Sequence, residues 1–245
     1  MKHWKENILA PLAFTAALIL LWELACVLFS LPATVLPTPS AVAKALVQYW
    51  PAIRDNSLQT LMTTLLGFGL AIVFGLVLGV AIGWSKLIYG ALYPVMIAFN
   101  AVPKVAVVPI LIIWFGIGTI PAIFTAFLIS FFPIVVNVAT GLATTEPELQ
   151  DVLRALGASK LDVVRKVGIP RSMPYFFGSL KVAITLAFVG SVVSETIGAN
   201  SGLGKMMLDA QAGFNVELVF AGVAALAVLG IALYAITALV ERRFT

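Results

Sequence analysis

Charge is scarce in this sequence. Asp, Glu, Lys and Arg make up only 11% of the 245 residues, while 61% are hydrophobic. A soluble domain carries about 25% charged residues, so this chain has too little polar surface to face water on all sides. Cysteine and histidine are almost missing as well, with one of each. A lone Cys26 forms no intrachain disulfide and is expected to pack within a helix. With the single histidine, His3, at the terminus, neither a histidine nor a cysteine cluster exists to hold a metal. No glycine-rich phosphate loop of Walker type is found, so any ATP is hydrolysed elsewhere. The net charge of +4 comes without a basic run interleaved with aromatics, which sets nucleic acid aside as a partner. Membrane proteins gather Lys and Arg on cytoplasmic loops, and that accounts for the excess.

What the sequence has is long apolar runs. About 20 apolar residues span a bilayer, and in lipid the backbone must satisfy its own hydrogen bonds, so helices are expected. The reading is an all-α polytopic membrane protein of about six spans, one domain over residues 1–245. Span one covers about 8–29; its apolar run is too long for a signal peptide and no small-x-small site directly follows it. The connector after it is broken by Pro32, Pro37, Pro39 and Pro51. Within it Ser40 is expected to cap a short helix whose Val42, Leu46 and Tyr49 share one face, suited to the membrane surface. Span two, about 57–84, carries Ala71, Gly75, Gly79 and Gly83 at four-residue spacing, which lets helices approach closely in lipid. Packing within the chain is the favoured reading of that stripe, and a subunit seam the other.

Residues 87–142 are apolar for longer than two plain spans require. Pro103 and Pro109 in "NAVPKVAVVP" break the helical ladder, and broken backbone at membrane depth needs protein or water around it. The expectation is a broken span over 87–116, a turn at "FGIGT" and a further span over 119–142. Spans over 174–197 and 217–240 follow, joined by the glycine-rich connector "GANSGLGKMMLDAQAGFN". With both termini inside, Lys2, Lys5, Lys86, Arg154, Lys160, Arg165, Lys166, Arg171, Arg242 and Arg243 are cytoplasmic. Lys44, Arg54 and Lys205 are then outside, so the positive-inside rule gives an N-in, C-in chain.

Ionisable residues inside spans are functional suspects. Glu195, in "VVSETIG", is either a pathway residue or an interfacial one that caps helix ends or pairs with Lys205. Asn100 and Lys104 are the next pathway candidates. A lysine in hydrocarbon is costly, so Lys104 is expected to reach an interface, with a pore as the second reading. Glu23 pairs or sits near an interface, Lys181 snorkels to cytoplasmic headgroups, and Trp114 and Phe115 belong to an interfacial belt or a gate.

The most water-compatible segment lies mid-chain: "EPELQDVLRALGASKLDVVRKVGIPRSMP", residues 146–174. Thr145 and Glu148 have capping-box spacing, with Pro147 in the first turn. Leu149, Val152, Leu153 and Leu156 then form an apolar stripe. Gly157 is able to take positive φ where a helix ends. Ser159 and Asp162 repeat the capping pattern, Leu161, Val164 and Val167 continue an apolar face, and Pro170 ends it. The stripe either rests on the protein's own helix ends or is a docking knuckle for a cytoplasmic partner.

"DVLRALGASKLDVVRKVGIP" resembles the cytoplasmic EAA loop of permease subunits in bacterial ATP-binding-cassette (ABC) importers. In that pattern Glu-Ala-Ala is followed by three residues and Gly, then nine residues and Ile-x-Leu-Pro. Gly157 and Pro170 match at the family spacing, Val167 and Ile169 are conservative replacements, Asp151 stands for Glu, and Val152 and Leu153 replace the alanines. "LPTPSAV", "VPKVAVVPILIIWFGIG", "IPRSMPYFFGSLKVA", "SETIGA" and "SGLGKMM" resemble, in order, the permeases for sulfonates, taurine, nitrate and pyrimidine precursors.

The resemblance implies the type I importer transmembrane fold in a bacterial inner membrane. It implies a homodimer lining one pathway, two ATPase subunits that bind ATP and Mg, and an extracytoplasmic binding protein that delivers a small solute. Within the 146–170 loop it assigns ATPase coupling to Asp151, Arg154, Ala155, Leu156, Gly157, Ala158, Val167 and Pro170. The chain itself is then neither an enzyme nor a holder of cofactors. The competing function is a secondary transporter or channel that uses Glu195 for protons; a membrane enzyme is weaker, since no Ser-x-x-Lys, metal set or paired acids stand out.

Overall fold

The computed structural model describes residues 2–143, 152 and 155–244. Helix α1 (Lys2–Leu28) is followed by the short α2 (Pro39–Gln48) and the long α3 (Trp50–Gly83). The next crossing is broken: α4 (Lys86–Ala101), a 3₁₀ turn (Lys104–Val107) and α5 (Val108–Phe115). After α6 (Thr119–Ala143) come α7 (Lys160–Val163), a π-helical turn (Val164–Gly168) and α8 (Ile169–Gly198). Helices α9 (Leu203–Ala212) and α10 (Val216–Phe244) complete the chain. Among the described residues five helices are long and apolar enough to cross a membrane, or six if the broken pair, bent by 75°, is taken as one span.

The spans begin and end close to where hydrophobicity places them, and the differences have local causes. Proline lacks only an N–H that the first helical turn leaves unpaired anyway. Accordingly Pro51 opens α3 instead of breaking the connector, and Pro170 opens α8 instead of ending the preceding segment. The cap of α2 is Thr38, whose hydroxyl accepts the Ala41 N–H at 3.2 Å. Ser40 instead gives both its N–H and its hydroxyl to Glu23, at 3.0 and 2.7 Å, tying α1 to α2. The stripe of α2 packs within the protein. Val42 and Ala45, with Leu46 and Tyr49, pack on Leu203, Met206 and Ala221 of α9 and α10. Cys26 is buried, as expected, with its thiol 3.7 Å from the Leu36 carbonyl.

The core is the sandwich of α3, α6 and α8, with Ala71, Ile134, Val138, Leu142, Phe177, Leu180 and Ala183 at its centre. Here the small-residue stripe is spent. A Cβ on Gly75 would sit 2.8 Å from Ile134 Cβ, one on Gly79 2.7 Å from Val138 Cβ, and one on Gly83 2.8 Å from Leu142 Cβ. Gly67 extends the ladder against Ala126. In lipid, helices associate through such close packing, because moving apolar surface from tails to protein gains little. The stripe is therefore an internal seam of the chain and is not available to a second copy.

Packing also sorts the connections to two ends of the molecule. At one end the Gly118 N–H donates to the Gly198 carbonyl (3.2 Å), the Asn215 amide donates to the Tyr49 hydroxyl (3.1 Å), and α2 meets α9. At the other, Leu142 lies against Gly83 and Gly168, and Lys181 pairs with Glu241 at 2.7 Å. Lys181 thus has an ion-pair partner within the protein.

Filling the seam tests it. Gly79→Ala forces α3 off α6 and costs about 1–3 kcal/mol by overpacking, read as a lower unfolding temperature in detergent. Gly69→Ala, on an open face where a new Cβ meets nothing within 4 Å, leaves that temperature unchanged.

Candidate coupling elbow and translocation pathway

Of the residues assigned to the coupling loop, Asp151 and Arg154 lie outside the described residues, as do Thr145, Pro147, Glu148, Leu149 and Leu153. The remainder form a sharp elbow. The Leu156 N–H donates to the Val152 carbonyl at 3.1 Å, and Gly157 then takes φ +84°, the left-handed conformation that only glycine adopts without strain. Ser159 and Asp162 close a reciprocal capping box: the Ser159 N–H and hydroxyl reach Asp162 Oδ2 at 3.1 and 2.5 Å, and the Asp162 N–H donates back to Ser159 Oγ at 3.2 Å. The Ser159 donors and the cations Lys166 and Arg165 beyond them hold the Asp162 carboxyl below its ordinary range.

The elbow's inner and outer faces differ from the periodicity-based expectation at one point. Val163, Val164 and Gly168 turn inward, with Val167 half-buried, but Leu161 turns out. The wider π turn (Val164–Gly168) displaces the stripe from the 3.6-residue period, and Leu161 joins Val152 and Leu156 on the outside. These three are 60%, 58% and 79% exposed, and Ile169 and Pro170 border them. Ala155 and Gly157 are exposed on the same elbow and Ala158 is half-buried. Among the described residues, Val152, Leu156 and Leu161 are therefore not packed on the protein's own helix ends.

The broken span sets Asn100 and Lys104 together. The Lys104 ammonium donates to the Asn100 carbonyl at 2.9 Å and to its side-chain Oδ1 at 2.5 Å, closing the C-terminus of α4 across the break. It stands 5.9 Å from the ring centroid of Phe132, at the middle of α6. Lys104 is thus tied to the break itself, between Asn100 and Phe132. Near the turn that follows, Phe115 stacks on Phe124 with centroids 4.9 Å apart, while Trp114 is exposed.

Glu195 sits elsewhere, near the end of α8, and is 1% exposed. Its Oε2 accepts the Thr60 hydroxyl at 2.8 Å and the Gly204 N–H at 3.1 Å. The Thr63 and Ser191 hydroxyls, bonded to each other, lie 3.3 and 3.4 Å from Oε1. Thr60 in turn accepts the Leu203 N–H at 2.9 Å, and Asn56 accepts that of Gly202 at 2.8 Å. These are the otherwise unpaired amides that begin α9. Glu195 therefore caps a helix end and does not pair with Lys205, whose ammonium bonds Asp209. Gly202 has φ +115°, and a Cβ there would lie 2.2 Å from the Glu195 carboxyl carbon, so the glycine is required.

Residues 71–245 match the family of inner-membrane components of binding-protein-dependent transport systems. The chain belongs to that family. A probable ABC transporter permease of Haemophilus influenzae is 31% identical over 94% of both chains. The formylaminopyrimidine transport permease ThiX of Halalkalibacterium halodurans is 30% identical over 91% of this chain and 89% of its own length. The riboflavin transport permease RibX of Chloroflexus aurantiacus is 34% identical over 92% and 85%. In solved structures, a chain of the methionine ABC transporter MetNI in an inward-facing conformation superposes with a TM-score of 0.69 at 21% identity, over 81% of this chain and 98% of that one. The architecture is thus the type I ABC importer transmembrane fold.

The permease residues missed by sequence reading are Asn56, Thr60, Thr63 and Ser191. For the first three a signal was present: Asn56, Thr60 and Thr63 stand at four- and three-residue spacing on one face of α3, the face that continues into Gly67. The connector expected to be a glycine-rich loop contains α9 because Glu195 and α3 supply its cap. Replacing Glu195 by Leu strands the Thr60 hydroxyl and the Gly204 N–H, at about 1–3 kcal/mol for each buried group. Thermal unfolding and protease cleavage within 199–215 read this out: both rise in susceptibility for Glu195→Leu, and less for Glu195→Gln, which keeps an acceptor.

Proposed function

We propose that this permease, paired with a second copy of itself, lines the translocation pathway of an ATP-driven importer in a bacterial inner membrane. Both termini and the 146–170 elbow face the cytoplasm. Two ATPase subunits, holding ATP and Mg, dock beneath the pair, and an extracytoplasmic binding protein hands over a small solute at the end where α2 and α9 meet. Relatives named for aliphatic sulfonates, nitrate, formylaminopyrimidine and riboflavin bracket the solute as a small anion or a heterocycle.

One observation carries the reading: the apolar crest of Val152, Leu156 and Leu161 is exposed on an elbow that is rigidly capped. Exposed apolar residues on a lipid-facing span are ordinary, but on a segment rich in Lys, Arg and Asp they lie in water and mark a partner's site. Coupling then runs through Ala155, Leu156, Gly157, Ala158, Val167 and Pro170, with Asp151 and Arg154 at the start of the same segment. The elbow continues without a break through the π turn into α8, so ATPase closure pulls on a span directly.

Burying one leucine is worth about 1.5–3 kcal/mol. The double change Leu156→Glu with Leu161→Glu therefore lowers affinity for the co-expressed ATPase by about a hundredfold or more, measured by co-purification from detergent, while the permease still folds. Undiminished recovery of the ATPase with the variant would place its docking elsewhere.

A further inference from the structure

Lys104 holds a positive charge beside Phe132, at the middle of α6, that no carboxylate among the described residues neutralises. An ammonium has three donors; Asn100 takes two, through its carbonyl and Oδ1. No carboxylate reaches it among the described residues, and the reason lies in the sequence: between Asp55 and Glu146 there is no Asp or Glu at all. Of the elements beside it, α4, the 3₁₀ turn, α5 and α6 are drawn wholly from that interval, while α8, which also touches the 3₁₀ turn, carries one carboxylate, Glu195. Glu195 is committed to Thr60 and Gly204 at the α9 end.

A cation at this depth is costly against lipid and is found facing water or protein. Lys104 is only half-buried, and Val102 and Val105 on either side of it are exposed. The span breaks at this point, and irregular backbone at membrane depth is tolerated beside a water-filled cavity. The asymmetry of charge then has a consequence for what passes: a water-filled constriction with fixed cations and no fixed anions attracts negative solutes and repels positive ones.

Resting on the importer reading above, we propose that Lys104 lies in the pathway and selects for a solute bearing an oxyanion, of the sulfonate, carboxylate or phosphate type. In the dimer two such cations, one from each copy, border the same passage. Asn100 is the positioning residue: it occupies two of the three donors and leaves the third for the solute.

The test needs neither the solute nor the ATPase. Single cysteines are placed at Val102 or Val105 in a Cys26→Ala background, and the permease is reconstituted in membranes. Modification is followed with two water-soluble methanethiosulfonates, one carrying a sulfonate and one a trimethylammonium, each rate divided by its rate with a free thiol. The expected result is reaction with both and a preference for the sulfonate reagent of about tenfold, which falls to near one with Lys104→Gln and persists with Lys104→Arg. Cysteines inert to both reagents would put Lys104 outside the pathway, and equal normalised rates with Lys104 present would remove its electrostatic role. Either outcome leaves the ATPase-binding result untouched, so the failure of this inference is distinct from failure of the coupling reading.

Discussion

Hydrocarbon solvates no ion, and the placement of each ionisable side chain in this permease answers to that constraint before any other. Glu23 is held by Ser40, Lys181 by Glu241, and Glu195 by hydroxyls and a backbone amide. Each of these contacts joins two helices, so the need to satisfy a polar group fastens α1 to α2, α8 to α10, and α3 and α8 to α9. Lys104 is satisfied only in part, and the span that carries it is the one that breaks. The remaining charges gather where water is available, above all on the elbow.

Between these polar fastenings the sandwich of α3, α6 and α8 is held by shape. The glycine ladder brings α3 so near α6 that a methyl group would not fit, and dispersion over that length replaces the hydrophobic effect that lipid does not supply. Rigid packing matters to the proposed mechanism because α8 bears a different device at each end. Its 30 residues, about 45 Å of helix, join the exposed elbow to the Glu195 clasp beneath α9. In the proposed mechanism, a pull on the elbow by ATPase closure would be carried along this helix to the face where solute is received.

Much of this was legible in the residues. The spans follow from apolar run length, the break from Pro103 and Pro109, the internal seam from the spacing of Gly75, Gly79 and Gly83, and the elbow from Gly157 and the Ser159–Asp162 box. The order of motifs along the chain led to the family. What stayed hidden depended on tertiary contact. Whether Glu195 meets Lys205 or an amide is decided by α9 folding back onto α3, and α9 is itself a helix only because those partners cap it. Lys104 lies beside Phe132 because the break stops α4 there, which no local pattern encodes. Leu161 faces out because a π turn adds a residue that a 3.6-residue period does not anticipate.

The account depends most on the elbow and α9 facing opposite sides of the membrane, with the elbow on the side where ATP is available. A membrane-impermeant maleimide settles this when applied to sealed vesicles of both orientations, with single cysteines at Ala158 on the elbow or Asp209 on α9 and Cys26 replaced by Ala. The account predicts labelling of the Ala158 position only in inverted vesicles and of the Asp209 position only in right-side-out ones. Labelling of the elbow from the outer face would contradict it.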